Sequence, residues 1–201
     1  PDAPGLDFPR MIDGAAAGRV KAMLLSGVDP VADDPQRATI AASLERLEFL
    51  VVMSSTLSAT AQRADVVLPL STWAEQEGTF TNTERRMQRV RQVFEAAGAS
   101  RAGWEVLRDL AALMSGTGFD FQGPSAIMDE IAAVTPIYGG ISHNRLEEGG
   151  LQWPCPTPEH PGTPVLYAEE FPAGKARFQP ITYQPLEEPA DDEYPLLLAA
   201  G

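Results

Sequence analysis

Three short apolar runs, each ending at turn residues, most constrain how this chain folds. They are VKAMLLS at 20–26, EFLVVM at 48–53 and DVVL at 65–68. Runs of this length and composition predict strands buried on both faces of a sheet. Helix-like segments at 36–47 and 58–63 separate them, and Asp34 and Pro35 offer an N-cap and a first helical residue for the longer one. Strands alternating with helices predict a parallel sheet with helical crossovers.

The predicted fold class is therefore α/β, a Rossmann-like, doubly wound parallel sheet. A further helix is predicted at 7–18, where the segment has helix character and ends at a glycine, and two more are predicted at 102–114 and 125–134 from their apolar stripes. The composition changes after these helices, because 10 of the 18 prolines fall within residues 151–201. We expect an α/β domain over 1–135 and a mostly irregular, acidic, proline-rich extension over 136–201, in which only 178–183 and 194–199 resemble strands.

Charge and composition exclude several classes of protein. The net charge of −13 argues against nucleic acid or an anionic membrane as a partner. No apolar run is longer than five residues, as at 49–53, which is too short to cross a bilayer, and no signal peptide is visible, so we expect a cytoplasmic protein. A single cysteine, Cys155, rules out a disulfide framework or an iron–sulfur cluster held by this chain alone.

No complete active site is visible in the sequence. We expect His143 and His160 to be surface loop residues and Cys155 to be an inert packed cysteine, so no catalytic or metal-binding residue is assigned. The arginines within 85–91 are expected to be solvated or to pair with Glu75, Glu77 and Glu84. If a ligand binds, a parallel sheet places it beyond the strand ends, here 27–33, 53–58 and 69–72.

Several sequence blocks together resemble one family. ADVVLP at 64–69 and GTFTNTERR at 78–86 are the most specific, and they follow GVDP at 27–30 in the expected order. The series resembles the molybdopterin oxidoreductase family, which includes formate dehydrogenase large subunits and a peripheral subunit of respiratory complex I. LQWPCP at 151–156 is similar to formate dehydrogenases in particular. EYPLLL at 193–198 resembles the start of the family's C-terminal barrel domain, so we expect the rest of that domain to lie outside this chain.

The resemblance implies an α/β domain that helps to grip the guanosine end of a molybdopterin guanine dinucleotide. Position by position, it assigns six candidate cofactor contacts: Gly27, Asp29, Asp33, Ser54, Leu70 and Gly103. Asp29 matches an acid or asparagine that contacts the nucleotide. Met53, Ser54 and Gly103, however, stand where cofactor-binding members commonly carry Gln, Asp and Asp, which weakens the expected grip.

Three functions follow from these departures. The favoured one is a fragment of the family's member in NADH-quinone oxidoreductase (complex I), with a degenerate cofactor cleft and a structural role. The alternative is the dinucleotide-binding domain of a molybdenum or tungsten formate dehydrogenase alpha subunit, and the second alternative is a non-enzymatic interaction module. The expected partners are other domains and subunits of a redox complex, peripheral to the inner membrane face, and a guanine nucleotide moiety. No cofactor is expected in the isolated fragment, and iron–sulfur clusters are expected only in the missing domains.

Overall fold

A computed structural model of the chain describes residues 4–175, 177–182 and 190–197. The chain forms two compact units, one extending to Pro164 and the other from Val165 onward, and each is described by itself. None of the helices in the described ranges has the length and apolar character needed to cross a lipid bilayer.

A three-stranded parallel sheet organises the first half of the first unit. Its strands are β1 (Ala22–Ser26), β2 (Phe49–Ser54) and β3 (Val66–Pro69), arranged in the order β1-β2-β3. The register pairs Leu24 with Val51, and Val51 with Val66. The predicted strands and the α/β class are therefore confirmed.

One helix precedes β1 in the sequence, and two lie between β1 and β2. They are α1 (Phe8–Ala16), the short α2 (Pro30–Asp33) and α3 (Arg37–Leu44). The carboxylate of Asp7 caps α1 by accepting a hydrogen bond from the Arg10 amide at 3.0 Å. Asp34 does not cap α3 as predicted: its carboxylate accepts the Gln36 amide at 2.7 Å in a tight turn, so the helix begins later, at Arg37.

One face of the parallel sheet carries the main core. Side chains from α1 and α3 pack there on β1 and β2, and the buried members include Ile12, Leu25, Ile40, Leu44, Leu50 and Val52. The opposite face is not buried along its full length, because Leu24, Phe49 and Val66 are each exposed by more than a third. The expectation of strands buried on both faces is thus wrong for this part of the sheet.

A second, antiparallel sheet was not anticipated. It joins β4 (Gly78–Thr81), β5 (Arg86–Val90) and β6 (Leu151–Gln152) in that order. Helices α4 (Gly103–Leu113) and α5 (Pro124–Val134) confirm the two predicted there. A separate core cluster beside this sheet contains Met87, Met128, Ile141, Leu146 and Cys155.

Ordered packing continues beyond residue 135, where the sequence predicts that the folded body ends. Ile141, Leu146 and Cys155 are each at most 4% exposed, although they lie in the predicted proline-rich extension, 136–201. The proposed domain boundary itself stays a prediction. In the second unit, the described residues 178–182 and 194–197 are not strands, so the strand assignment is wrong there, whereas residues 183 and 198–199 lie outside the described ranges.

Candidate functional site

A cleft of about 380 Å³ opens at the carboxyl end of β1. Its lining combines Gly27 with three aspartates, Asp29, Asp33 and Asp34, and includes the apolar side chain of Phe8. Three of the six predicted contact residues, Gly27, Asp29 and Asp33, therefore share one cavity. Among the described residues that line it there are three aspartates and no lysine or arginine, so its charge is acidic, although most of the exposed lining surface is apolar.

Gly27 makes the turn that opens the cleft. Its φ of +67° lies in the left-handed region that side chains rarely adopt, and a Cβ built on it would meet no atom within 4 Å. The Gly27 amide donates to the Met53 carbonyl at 2.9 Å, which continues the pairing of β1 with β2 beyond the strand end. The glycine thus leaves open backbone at the cleft floor.

Asp29 fastens this turn to the loop after β2. Its carboxylate accepts hydrogen bonds from the amides of Ala59 (3.2 Å) and Thr60 (2.9 Å) and from the Thr60 hydroxyl. The Thr60 oxygen in turn accepts the Val31 amide at 3.1 Å, and Thr60 is completely buried. We call this set of contacts the Asp29–Thr60 latch.

The latch also fixes the charge of the cleft. Burial raises the pKa of the Asp29 carboxyl, but the hydrogen bonds from Thr60 and Ala59 outweigh that effect and leave the pKa below its usual value. Asp29 is therefore ionised at neutral pH. A carboxylate has about four acceptor positions, so Asp29 retains capacity for an external donor.

The other three predicted residues gather at the ends of β2 and β3. Leu70 and Met53 border the start of α4: a Cβ at Gly103 would lie 3.6 Å from Leu70 Cδ2 and 3.9 Å from Met53 Cε. Met53 is completely buried. Ser54 follows Met53, and its hydroxyl accepts the Thr56 amide at 3.3 Å. This group is largely apolar, and none of its members lines the acidic cleft.

Thr60 is the residue of this region whose role could not be predicted from the sequence. It lies 31 residues from Asp29, in a segment whose pattern predicts only a short helix. A hydroxyl residue soon after a buried strand is a weak signal, since such residues are common in turns. Only the fold places it beside the Asp29 carboxylate.

The histidine and cysteine expectations have different outcomes. His143 is only 5% exposed, so its assignment to the surface is wrong. Burial, and then the charge of Arg89, lower the pKa of His143 below its usual value. Cys155 is completely buried, as expected for a packed cysteine, and its sulfur lies 3.3 Å from Arg145 Nη1.

The arginine stretch is mostly paired, as predicted, but with a different set of acids. Arg86 pairs with Glu84 at 3.7 Å and Arg89 with Glu77 at 3.3 Å. Glu75 instead accepts hydrogen bonds from the amide and hydroxyl of Thr72. Its place is taken by Glu147, which binds both Arg89 and Arg91. These contacts hold the antiparallel sheet to the segment before β6.

The fold and cleft define an α/β domain with a ligand-sized opening at the carboxyl end of one parallel strand, β1. The family model described as Molybdopterin oxidoreductase matches residues 1–113 of the chain. The chain belongs to the molybdopterin oxidoreductase family, and this membership implies a molybdopterin cofactor in the parent protein.

Curated relatives share most of this chain. The F420-dependent formate dehydrogenase 2 subunit alpha of Methanococcus maripaludis is 44% identical over 98% of the chain. The probable oxidoreductase YjgC of Bacillus subtilis is 41% identical over 91% of it. The chain spans only 29% and 19% of the lengths of these two relatives. The relatives favour the formate dehydrogenase alternative over the complex I reading.

A solved structure supports the fold. Acetylene hydratase from Pelobacter acetylenicus superposes on 69% of this chain with a TM-score of 0.57 and 19% sequence identity. The chain covers 19% of that structure. At this identity the similarity concerns the fold alone.

Proposed function

We propose that this chain is the nucleotide-end domain of a formate-dehydrogenase-type alpha subunit. In this role it receives the guanosine end of a molybdopterin guanine dinucleotide, together with the remaining domains and subunits of the redox complex. The observation that carries the proposal is the acidic cleft at the end of β1. The 44% identity to a formate dehydrogenase alpha subunit supports the choice of parent.

The chemistry of the cleft fits the nucleoside part of such a cofactor. Ribose hydroxyls and the N–H groups of guanine are hydrogen-bond donors, and carboxylates are the acceptors that proteins commonly offer to them. Asp29 and Asp33 supply carboxylates beside the open backbone of Gly27. A diphosphate in the same cavity would be repelled by the three carboxylates, which no cationic side chain offsets among the described lining residues.

The bound cofactor would supply the redox chemistry of the parent protein at its metal. The residues of this chain would bind and orient the nucleoside. Asp29 would accept a donor while holding the loop through the latch, and Asp33, which lines the same cleft, would accept a second donor.

A scaffold domain without nucleotide is the second candidate function. It is favoured by the apolar group at the ends of β2 and β3, where Met53 is completely buried and Leu70 borders Gly103. Guanine donors placed against these side chains would find no acceptor, which costs about 1–3 kcal/mol for each unpaired group.

The substitution Asp33→Ala separates the two candidates. The full-length, cofactor-free alpha subunit is titrated calorimetrically with GMP. If the cleft binds the nucleoside, Asp33→Ala weakens the affinity about tenfold or more, because one charged acceptor is lost. The matched control is Asp13→Ala on the exposed side of α1, which leaves the affinity unchanged. Absence of GMP binding by the wild-type subunit would favour the scaffold function, whereas equal binding by both variants would show that GMP does not bind through Asp33.

A further inference from the structure

At β1 and β2 the parallel sheet is covered on one face and partly uncovered on the other, whereas β3 is exposed on both faces, with Val66 and Val67 each 36% exposed. Leu25, Leu50 and Val52 pack with α1 and α3 on the covered face. Because side chains alternate along a strand, their neighbours lie on the opposite face. The register places them in two rows, Ala22 beside Phe49, and Leu24 beside Val51 and Val66. We call these five residues the open face.

The open face is apolar and accessible. Leu24 is 38% exposed, Phe49 46% and Val66 36%. Met53 lies further along the same face but is completely buried, since the start of α4 covers that end near Gly103. The exposure is therefore confined to the amino-terminal part of the sheet. Three adjacent strands contribute to it, so it is a continuous patch and not a set of scattered side chains.

A polar border surrounds the amino-terminal edge of the open face. Lys21 and Glu48 precede Ala22 and Phe49 and form a salt bridge of 2.7 Å. Both side chains are about two-thirds exposed. An uncharged apolar centre with a solvated charged border is the usual anatomy of a protein interface.

The described crossovers do not cover this face. Helix α3 lies between β1 and β2 in the chain and packs on the covered face, and the connection from β2 to β3 holds only a short 3₁₀ helix at Ala61–Arg63. Parallel sheets are normally covered on both faces by helices of their own chain. The chain spans only 29% of the Methanococcus maripaludis relative, so a parent of that kind has ample further polypeptide.

We propose that the open face is the docking surface for an apolar layer from the remaining part of the same alpha-subunit polypeptide. The proposal requires a longer parent protein. It does not require that the acidic cleft bind a nucleotide.

Carbene footprinting of the full-length, monomeric, cofactor-free alpha subunit tests the proposal. Labelling is read at Leu24 and Phe49 and compared with Leu57, a loop residue that is 68% exposed. If the face is covered, labelling of Leu24 and Phe49 falls to background while Leu57 stays strongly labelled. If it is free, Leu24 is labelled at roughly half the level of Leu57, in proportion to their exposed fractions.

Labelling in that proportion would overturn the proposal. Protection that arises only in a dimer, or only when other subunits are added, would also overturn it, because the occupant would then be a different chain. A pair of variants tests the assignment further. Phe49→Lys should restore labelling of Leu24, whereas Leu57→Lys should not. The measurement is independent of GMP affinity, so the failure of one proposal leaves the other open to its own test.

Discussion

Asp29 makes two separate sets of structural hydrogen bonds, one through its backbone and one through its side chain. Its backbone carbonyl accepts the amides of Ala32 and Asp33, which starts α2, and its side chain closes the latch with Thr60. The family motif predicts a nucleotide contact at this position. It does not reveal the structural task, since the partners of the carboxylate lie 30 and 31 residues away.

Thr60→Val should weaken the latch without changing the side-chain volume. The substitution removes a donor to Asp29 and leaves the Val31 amide without its acceptor. We expect the free energy of unfolding at pH 7 to fall by about 1–3 kcal/mol, because buried polar groups lose their partners. Urea unfolding measures the difference, and the exposed Thr56→Val is the control, with a change within about 0.5 kcal/mol.

The difference in unfolding free energy between wild type and Thr60→Val should depend on pH. The pKa of Asp29 is lowered in the folded protein, so its contribution is complete above its pKa in the unfolded chain and is lost as the pH falls through the lower folded value. The gap between wild type and Thr60→Val should therefore narrow below about pH 4. A gap that is constant from pH 7 to pH 3 would show that the charged carboxylate contributes nothing to the latch.

At the scale of secondary-structure elements, those with a clear hydrophobic pattern are the ones that can be predicted from the sequence. The strands of the parallel sheet are short apolar runs and can be recognised from the sequence. Strand β5, with the sequence RMQRV, carries two arginines, and β6 has only two residues. Strand β5 pairs with its neighbour β4 in a hairpin. Strand β6 depends on pairing across about 65 residues, as in the register of Arg86 with Gln152, which no local pattern encodes.

At Gly140, which lies between α5 and β6, the backbone runs very close to the backbone of the segment that follows β6. A Cβ there would lie 1.9 Å from the Thr157 carbonyl oxygen, and the Gly140 amide donates to the Cys155 carbonyl at 2.7 Å. Gly140→Ala should therefore push the two segments apart and reduce the free energy of unfolding by about 3 kcal/mol.

The control for this change is Gly78→Ala in β4, where a Cβ would meet no atom within 4 Å. Thermal unfolding followed by near-ultraviolet circular dichroism compares the two variants. If both unfold at the same temperature, the contact of Gly140 with Thr157 is not a constraint on the fold.

At the scale of the whole molecule, two arginines order a region that composition alone assigns to loops. Arg145 donates to the carbonyls of Gly140 and His160. Arg85 donates to those of Trp153 and Thr163. Such bonds let a proline-rich segment keep a fixed path without helix or strand, and a count of prolines cannot foresee them.

Limited trypsin digestion should distinguish the ordered segment around Arg145 from the stretch around Lys175. Lys175 and Arg177 are exposed in a stretch without helix or strand among its described residues, whereas Arg145 is held by carbonyls. We expect the first cuts after Lys175 or Arg177, leaving a resistant fragment that contains Arg145. Mass spectrometry identifies the sites, and equally early cleavage at Arg145 would contradict the ordered path.

The complete burial of Cys155 makes the chain convenient for spectroscopy. Its sulfur is enclosed by Arg145 and by the carbonyls of Thr157 and His160, and the chain has no second cysteine. A thiol introduced at Val28 on the rim of the cleft, or at Leu24 on the open face, would thus be the single site within this chain that reacts readily with a fluorophore or spin label. Each surface could then be observed separately, against a silent background from the native thiol.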